Sequence, residues 1–117
     1  MTRVFVYGTL KRGGSNHDWL RGQRFIAEVR TQPRFRLFDL GGYPGMVEDL
    51  QNGLAVEGEV WEVDDAALAG LDELEDVAGG EYVRLPLPLQ APFDGERVDG
   101  YLYLLSVAGR PDLGARW

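Results

Sequence analysis

Polar and apolar positions alternate most strictly over "LAVEGEVWEV" (Leu54 to Val63), with Leu54, Val56, Gly58 and Val60 on one side and Ala55, Glu57, Glu59 and Trp61 on the other. A period of two predicts a half-buried strand. "RVFVYG" (Arg3 to Gly8) is β-branched and aromatic and runs straight into glycine-rich sequence, which predicts a strand feeding a loop. "RFIAEVR" and "RFRLFDL" predict two more strands around "TQP", and "GGYPGMVED" a turn that returns as a short strand. "EYVRLPLPL" and "RVDGYLYLLSV" read as strands joined by the turn-rich "QAPFDGE", with Pro86 and Pro88 placing the first at a sheet edge. Ser15 or Asn16 can cap a short helix over "HDWLRG" that Gly22 ends.

A helical period appears once at length, in "DDAALAGLDELEDVAGG". Asp64 or Asp65 can accept from the free amides at its start, and Gly79 and Gly80 supply a stop. The pattern predicts an α+β protein: a small, mixed, mostly antiparallel β-barrel with one main and one or two short flanking helices. Closure of the sheet would remove exposed edges.

Within that helix "LDELED" packs four acids into six residues. At about 100° per residue, Ala67, Leu68, Leu74 and Ala78 fall near Leu71 and define an apolar stripe. Asp72, Glu73 and Asp76 then face water, whereas Glu75 lies about 40° from Leu71, inside the stripe. Loss of hydration raises the pKa of such a carboxyl group, the condition for a general acid and base near neutrality. The alternative is that Glu75 reaches out to solvent or pairs with an arginine such as Arg84.

Composition narrows the chemistry. The 117 residues suit one domain, 1–117, with a single core. There is no cysteine, and His17, the lone histidine, is expected as a capping or surface residue. The apolar runs are too short to span a membrane and the amino terminus lacks a signal-peptide pattern, so a soluble, cytoplasmic protein is expected. A net charge of -7 argues against nucleic-acid binding. The charge is uneven: residues 1–36 hold eight basic and two acidic side chains, a balance of +6 that leaves -13 for the rest. This pattern suits either an anion-attracting amino-terminal region or arginines decorating strand edges.

"GTLKRGGS" (Gly8 to Ser15) departs from the phosphate-binding pattern G-x-x-x-x-G-K-[ST] because Gly14 stands where the lysine should be. A phosphate- or nucleotide-binding module over Gly8 to Ser15 is therefore one alternative. More generally, glycines at 8, 13 and 14 let backbone N–H groups approach a small anion. Lys11 and Arg12 are expected to attract an anionic substrate or touch its distal part.

Taken together, "VFVYGTLKRGGSNH" and "LDELEDVAGGEYVR" resemble the γ-glutamyl cyclotransferase family, most closely its γ-glutamylamine cyclotransferase branch. Weaker likeness runs through "GGYPGMV", "VEGEVWEV" and "YLYLL". The resemblance implies a small mixed barrel with a pocket at the end of the first strand, in which a γ-glutamyl group is cyclised to 5-oxoproline and the attached amine released. It assigns the glutamyl portion to Tyr7, Gly8, Thr9 and Leu10, the proton transfers to Glu75, and the pocket wall to Tyr82 and Tyr103. No cofactor or metal is implied, since the substrate's own α-amine is the nucleophile. The expected partner is a small γ-glutamyl molecule, with no nucleic acid or membrane, for a monomer or homodimer. A non-catalytic binding barrel is the remaining alternative, against which the retained Glu75 speaks.

Overall fold

The computed structural model describes residues 1–117, and strand β1 (Thr2–Val6) runs through its centre. Its side chains are apolar on both faces because both are covered: Val4 and Val6 join one hydrophobic cluster, and Phe5 and the following Tyr7 another. An unbroken apolar run suits a strand buried on both sides. Strand β5 (Glu57–Val63) pairs antiparallel with β1, and β2 (Arg24–Arg30) lies outside β5. On the other flank β7 (Asp99–Tyr103) runs parallel to β1, followed by antiparallel β6 (Tyr82–Pro86). The order β2-β5-β1-β7-β6 makes a mixed five-stranded sheet.

A second, antiparallel sheet has the order β4 (Pro44–Glu48), β3 (Phe35–Asp39), β8 (Asp112–Gly114). Its Phe35, Leu37 and Met46 pack on Phe5, Val56 and Val60. The opposite face is covered by helix α1 (Asp65–Leu74) and a 3₁₀ turn, His17–Leu20, whose Leu71 and Leu20 meet Val4, Val6, Trp61 and Val63. No helix is long and apolar enough to cross a membrane.

The two sheets do not close into a barrel, contrary to the expectation from edge protection. The edges are handled by other means. On β2 they carry exposed Arg24, Glu28 and Arg30 with a bulge between Phe25 and Ala27, and β6 ends in Pro86, which has no N–H to offer another strand. Strand β5 is also not half-buried as its alternation predicts: Glu59 and Trp61 are as enclosed as Val60, because β5 lies inside the sheet with packing on both faces. The short β8, unmarked in the sequence pattern, forms by pairing with β3.

Helix α1 starts as expected, with the Asp64 carboxylate accepting from the Ala67 N–H at 2.8 Å. Those contacts hold the Asp64 carboxyl below its usual range. It stops at Leu74, five residues before Gly79. Asp76 takes a left-handed φ of 51°, Asp76 N–H donates to Glu73 O, and Val77 N–H donates to Asp72 O. These are the paired bonds of a Schellman stop, with an aspartate in the position glycine usually fills. Ala78, expected in the apolar stripe, is consequently exposed.

Candidate active site

A cavity of about 340 Å³ opens where β1 runs out into the Gly8–Ser15 loop. Tyr7, Gly8, Thr9 and Leu10 line one part of it, and Glu75, Glu81, Tyr82 and Tyr101 another. Gly8 fits because a Cβ there would lie 2.4 Å from Pro44 Cγ, so β4 and the loop approach closer than any side chain allows.

The loop's hydrogen bonds are one-sided. Its carbonyls are occupied: Gly8 O accepts from Lys11 N–H, Thr9 O from Asn16 N–H and Lys11 O from Gly14 N–H, while Leu10 O lies 3.0 Å from His17 Nδ1. The N–H groups of Gly8, Thr9 and Leu10 have no acceptor within the protein. Buried backbone donors rarely stay unpaired, so three in a row beside a cavity form a ready site for an anionic oxygen. His17 serves this arrangement from behind, packed on Trp61 with ring centroids 5.3 Å apart. Asn16 holds Thr9 Oγ1 through its side-chain amide at 3.0 Å and makes no side-chain cap on the 3₁₀ turn.

Glu75 sits at the end of α1. Its N–H donates to Leu71 O at 2.9 Å, which keeps it in helical register and turns its side chain toward the cavity, as the helical period predicts. No cation pairs with it. Burial pushes its carboxyl up to about 7, and the nearby Glu81 carboxylate adds to the rise. Arg84, the expected competitor for Glu75, is engaged elsewhere: Nε and Nη2 hold Asp72, and Nη1 donates to Asp99 at 2.7 Å. Asp72 therefore does not simply face water. It accepts from Arg84 and from the Tyr101 hydroxyl at 2.7 Å. Glu73 and Asp76 are exposed as expected. Glu73→Gln should leave stability and turnover within about 0.5 kcal/mol of the parent, as for surface positions generally, in a denaturation and rate measurement.

The tyrosines divide by role. Tyr7 is buried, donating to Tyr101 O at 2.7 Å and accepting from Met46 N–H at 3.3 Å, so it ties β1 to β7 and β4. The Tyr82 hydroxyl donates to Pro44 O at 2.8 Å. Burial pushes both phenols above their ordinary range. They build the wall and stay protonated. Tyr103 does not line the cavity: it packs edge-on behind Tyr82 with centroids 5.2 Å apart, and the lining tyrosine on β7 is Tyr101. Tyr101 stands two residues from Tyr103, on the same face of the strand, a relation that a period of two contains.

Several lining residues escaped the sequence reading: Asn16, Gly41, Gly42, Tyr43, Glu81 and Tyr101. Gly41 and Gly42 both donate to the Asp39 carboxylate, which lowers its pKa and shapes the turn that brings Tyr43 over the cavity. The Tyr43 hydroxyl donates to Glu81 at 3.0 Å. Conversely, Lys11 and Arg12 do not reach the cavity. They line a different cleft, where Arg12 is bound to Glu59 and Glu28. The basic amino-terminal region is largely neutralised in the same manner: Arg3, Arg21, Arg30 and Arg36 also have acidic partners.

A two-sheet α+β fold thus brings an unpaired carboxyl group and unpaired backbone donors together around one small cavity. The sequence model of the family described as Gamma-glutamyl cyclotransferase, AIG2-like matches residues 4–117, and the chain belongs to that family. It is 40% identical over 107 residues to the Gamma-glutamylcyclotransferase family protein YtfP of Escherichia coli K12, covering 92% of this chain and 87% of that protein. A Vibrio cholerae protein provisionally named a gamma-glutamylcyclotransferase is 51% identical over 74 residues, covering 63% of this chain. That match spans 62% of the Vibrio relative's own length. An AIG2-like protein from Mus musculus of known crystal structure superimposes with a TM-score of 0.79 at 29% identity, covering 100% of this chain and 88% of the mouse chain.

Proposed function

We propose that the protein cyclises a γ-glutamyl group, carried on an amine or an amino acid, to 5-oxoproline and releases the attached amine. The observation that carries this reading is the placement of Glu75, uncompensated and with a pKa near neutrality, in one cavity with the three unpaired N–H groups of Gly8, Thr9 and Leu10. Family membership supports the same chemistry.

In this reaction the ionised Glu75 takes a proton from the substrate's α-ammonium group. The freed amine attacks its own γ-carbonyl carbon, and a tetrahedral oxyanion forms. The bond to the leaving amine then breaks as protonated Glu75 returns the proton to its nitrogen, and the surplus proton of the ring nitrogen follows through Glu75, so that the lactam is neutral and the amine leaves as an ammonium ion. The loop amides hold the anionic oxygens of the substrate, a role in which fixed backbone donors need no reorganisation as charge develops. Tyr7 and Tyr82 fix the walls against which the glutamyl chain folds. Holding amine and carbonyl in a ring-closing conformer can contribute about 7 to 11 kcal/mol in favourable intramolecular cases.

Since the base must be ionised, kcat/KM should rise with pH through about 7. A panel of γ-glutamylamines and γ-glutamyl amino acids, assayed for 5-oxoproline with the released amine identified, tests the reading and shows which branch of the family the protein follows. Absence of 5-oxoproline from every member of the panel would remove it.

A further inference from the structure

Glu59 is one of three buried polar or charged residues, with Thr31 and Asp99, and lies outside the cavity. A carboxylate enclosed in the middle of a sheet loses hydration and is retained at a cost unless its oxygens are matched by donors. Asp99 is matched by Arg84 on the adjacent strand β6 and by Arg97, two residues ahead of it in the chain. Glu59 is matched differently. Its Oε1 accepts from the main-chain N–H of Arg12 at 3.1 Å and from Trp61 Nε1 at 3.2 Å, and its Oε2 accepts from Arg12 Nε at 3.0 Å. Burial alone would raise its pKa, but these donors outweigh burial and hold it below the usual value.

Two of the three donors thus come from one residue, Arg12, two positions beyond the unpaired amide of Leu10. The guanidinium is fixed further by the Phe25 ring at 3.8 Å and by Glu28 at 3.0 Å. The third donor, Trp61, packs against His17, whose Nδ1 meets Leu10 O. Glu59 therefore reaches the loop by two routes: directly at Arg12, and through Trp61 and His17 at Leu10. The loop's remaining hydrogen bonds are internal or come from Asn16 and the His17 N–H, so Glu59 supplies the hydrogen bonds that connect its far limb to the sheet.

We propose that Glu59 is a positioning residue, a buried carboxylate that clamps the Gly8–Gly14 loop to β5 and so orients the Gly8, Thr9 and Leu10 amides toward the substrate. The proposal rests on the cyclotransferase reading of the cavity. It does not require Glu59 to touch substrate, since Glu59 faces the cleft behind the loop.

The test is Glu59→Gln, which keeps the length of the side chain but sets an N–H₂ group against Arg12 Nε. KM for a γ-glutamyl substrate should rise by roughly tenfold to a hundredfold, the usual consequence of a small misplacement of binding groups. The pH midpoint of kcat/KM should stay where Glu75 puts it. Amide exchange at Arg12, Gly14 and Asn16, followed by NMR, should quicken. Arg12→Ala, at a half-exposed position, should raise KM in the same direction by less, and substitution of the exposed Glu73, remote from the loop, should leave it unchanged. An unchanged KM in Glu59→Gln overturns the proposal. Where that variant does not fold, an unchanged KM in Arg12→Ala does so. If the parent protein releases no 5-oxoproline, it is the cyclotransferase reading that fails, and unaltered exchange in Glu59→Gln then overturns the clamp by itself.

Discussion

Glu75→Gln should lower 5-oxoproline release by about 10²- to 10⁴-fold, the range that a positioned acid–base group contributes, while the protein stays folded. The substitution keeps the size of the side chain and removes its capacity to accept a proton. The same variant should be more stable than the parent at alkaline pH. In the folded protein burial pushes the carboxyl up to about 7 from an ordinary value of 4.5, so the native state binds the extra proton between those two values. The contribution of Glu75 to stability is then fully present below pH 4.5 and is lost as pH rises through 7. At pH 8 an ionised, desolvated carboxylate is a burden that glutamine does not share, worth on the order of 3 kcal/mol. Urea denaturation of both proteins at pH 4 and pH 8 measures it. Coincident stabilities at both pH values would show that Glu75 is not held in a poorly hydrated site, and undiminished turnover would show that it is not the proton carrier.

The second large effect concerns Arg84. Arg84→Met should destabilise the fold by about 3 kcal/mol, because it removes the cation shared by Asp72 and the buried Asp99 and leaves the latter with Arg97 alone. The value belongs at the low end of the range for broken buried pairs, since Arg84 itself is partly exposed. Equilibrium denaturation gives the loss. The pH midpoint of kcat/KM should stay near 7, because Arg84 does not pair with Glu75. A midpoint that moved up by a unit would mean that the guanidinium stabilises the Glu75 carboxylate after all.

Both predictions depend on how α1 ends. The acidic run Leu71 to Asp76 sets four carboxylates at the end of a helix, and the helical period separates them because Leu71 must be buried and rotation about the axis is then fixed. The helical period still holds at Glu75 because its N–H bonds Leu71 O in the last turn. One residue further it has no force, for Asp76 has already left the helix, and the exposure of Ala78 follows. Asp72 departs from its expected exposure because of contacts from outside the helix. Its angle on the helix is as expected, but Arg84 on β6 and Tyr101 on β7 come to it across the packing.

By itself the sequence determined what local rules control. Strand β2 lies at Arg24–Arg30 as its pattern predicts, β6 takes an edge because of its prolines, α1 begins at the Asp64 cap, and Glu75 turns inward with Leu71. These follow from periodicity, missing donors and capping, which act within a few residues. Tertiary structure alone decided the parallel pairing of β1 with β7, the two open sheets in place of a barrel, and β8. It also decided which charges meet: Arg84 with Asp72 and Asp99, Arg12 with Glu59, and no cation with Glu75. Partners 12, 15 and 47 residues apart in the chain leave no periodic trace, so their pairing emerges only when packing brings the elements together. The pKa of Glu75 is the clearest case, since the helix aims the carboxyl group, but the walls supplied by other elements remove its water.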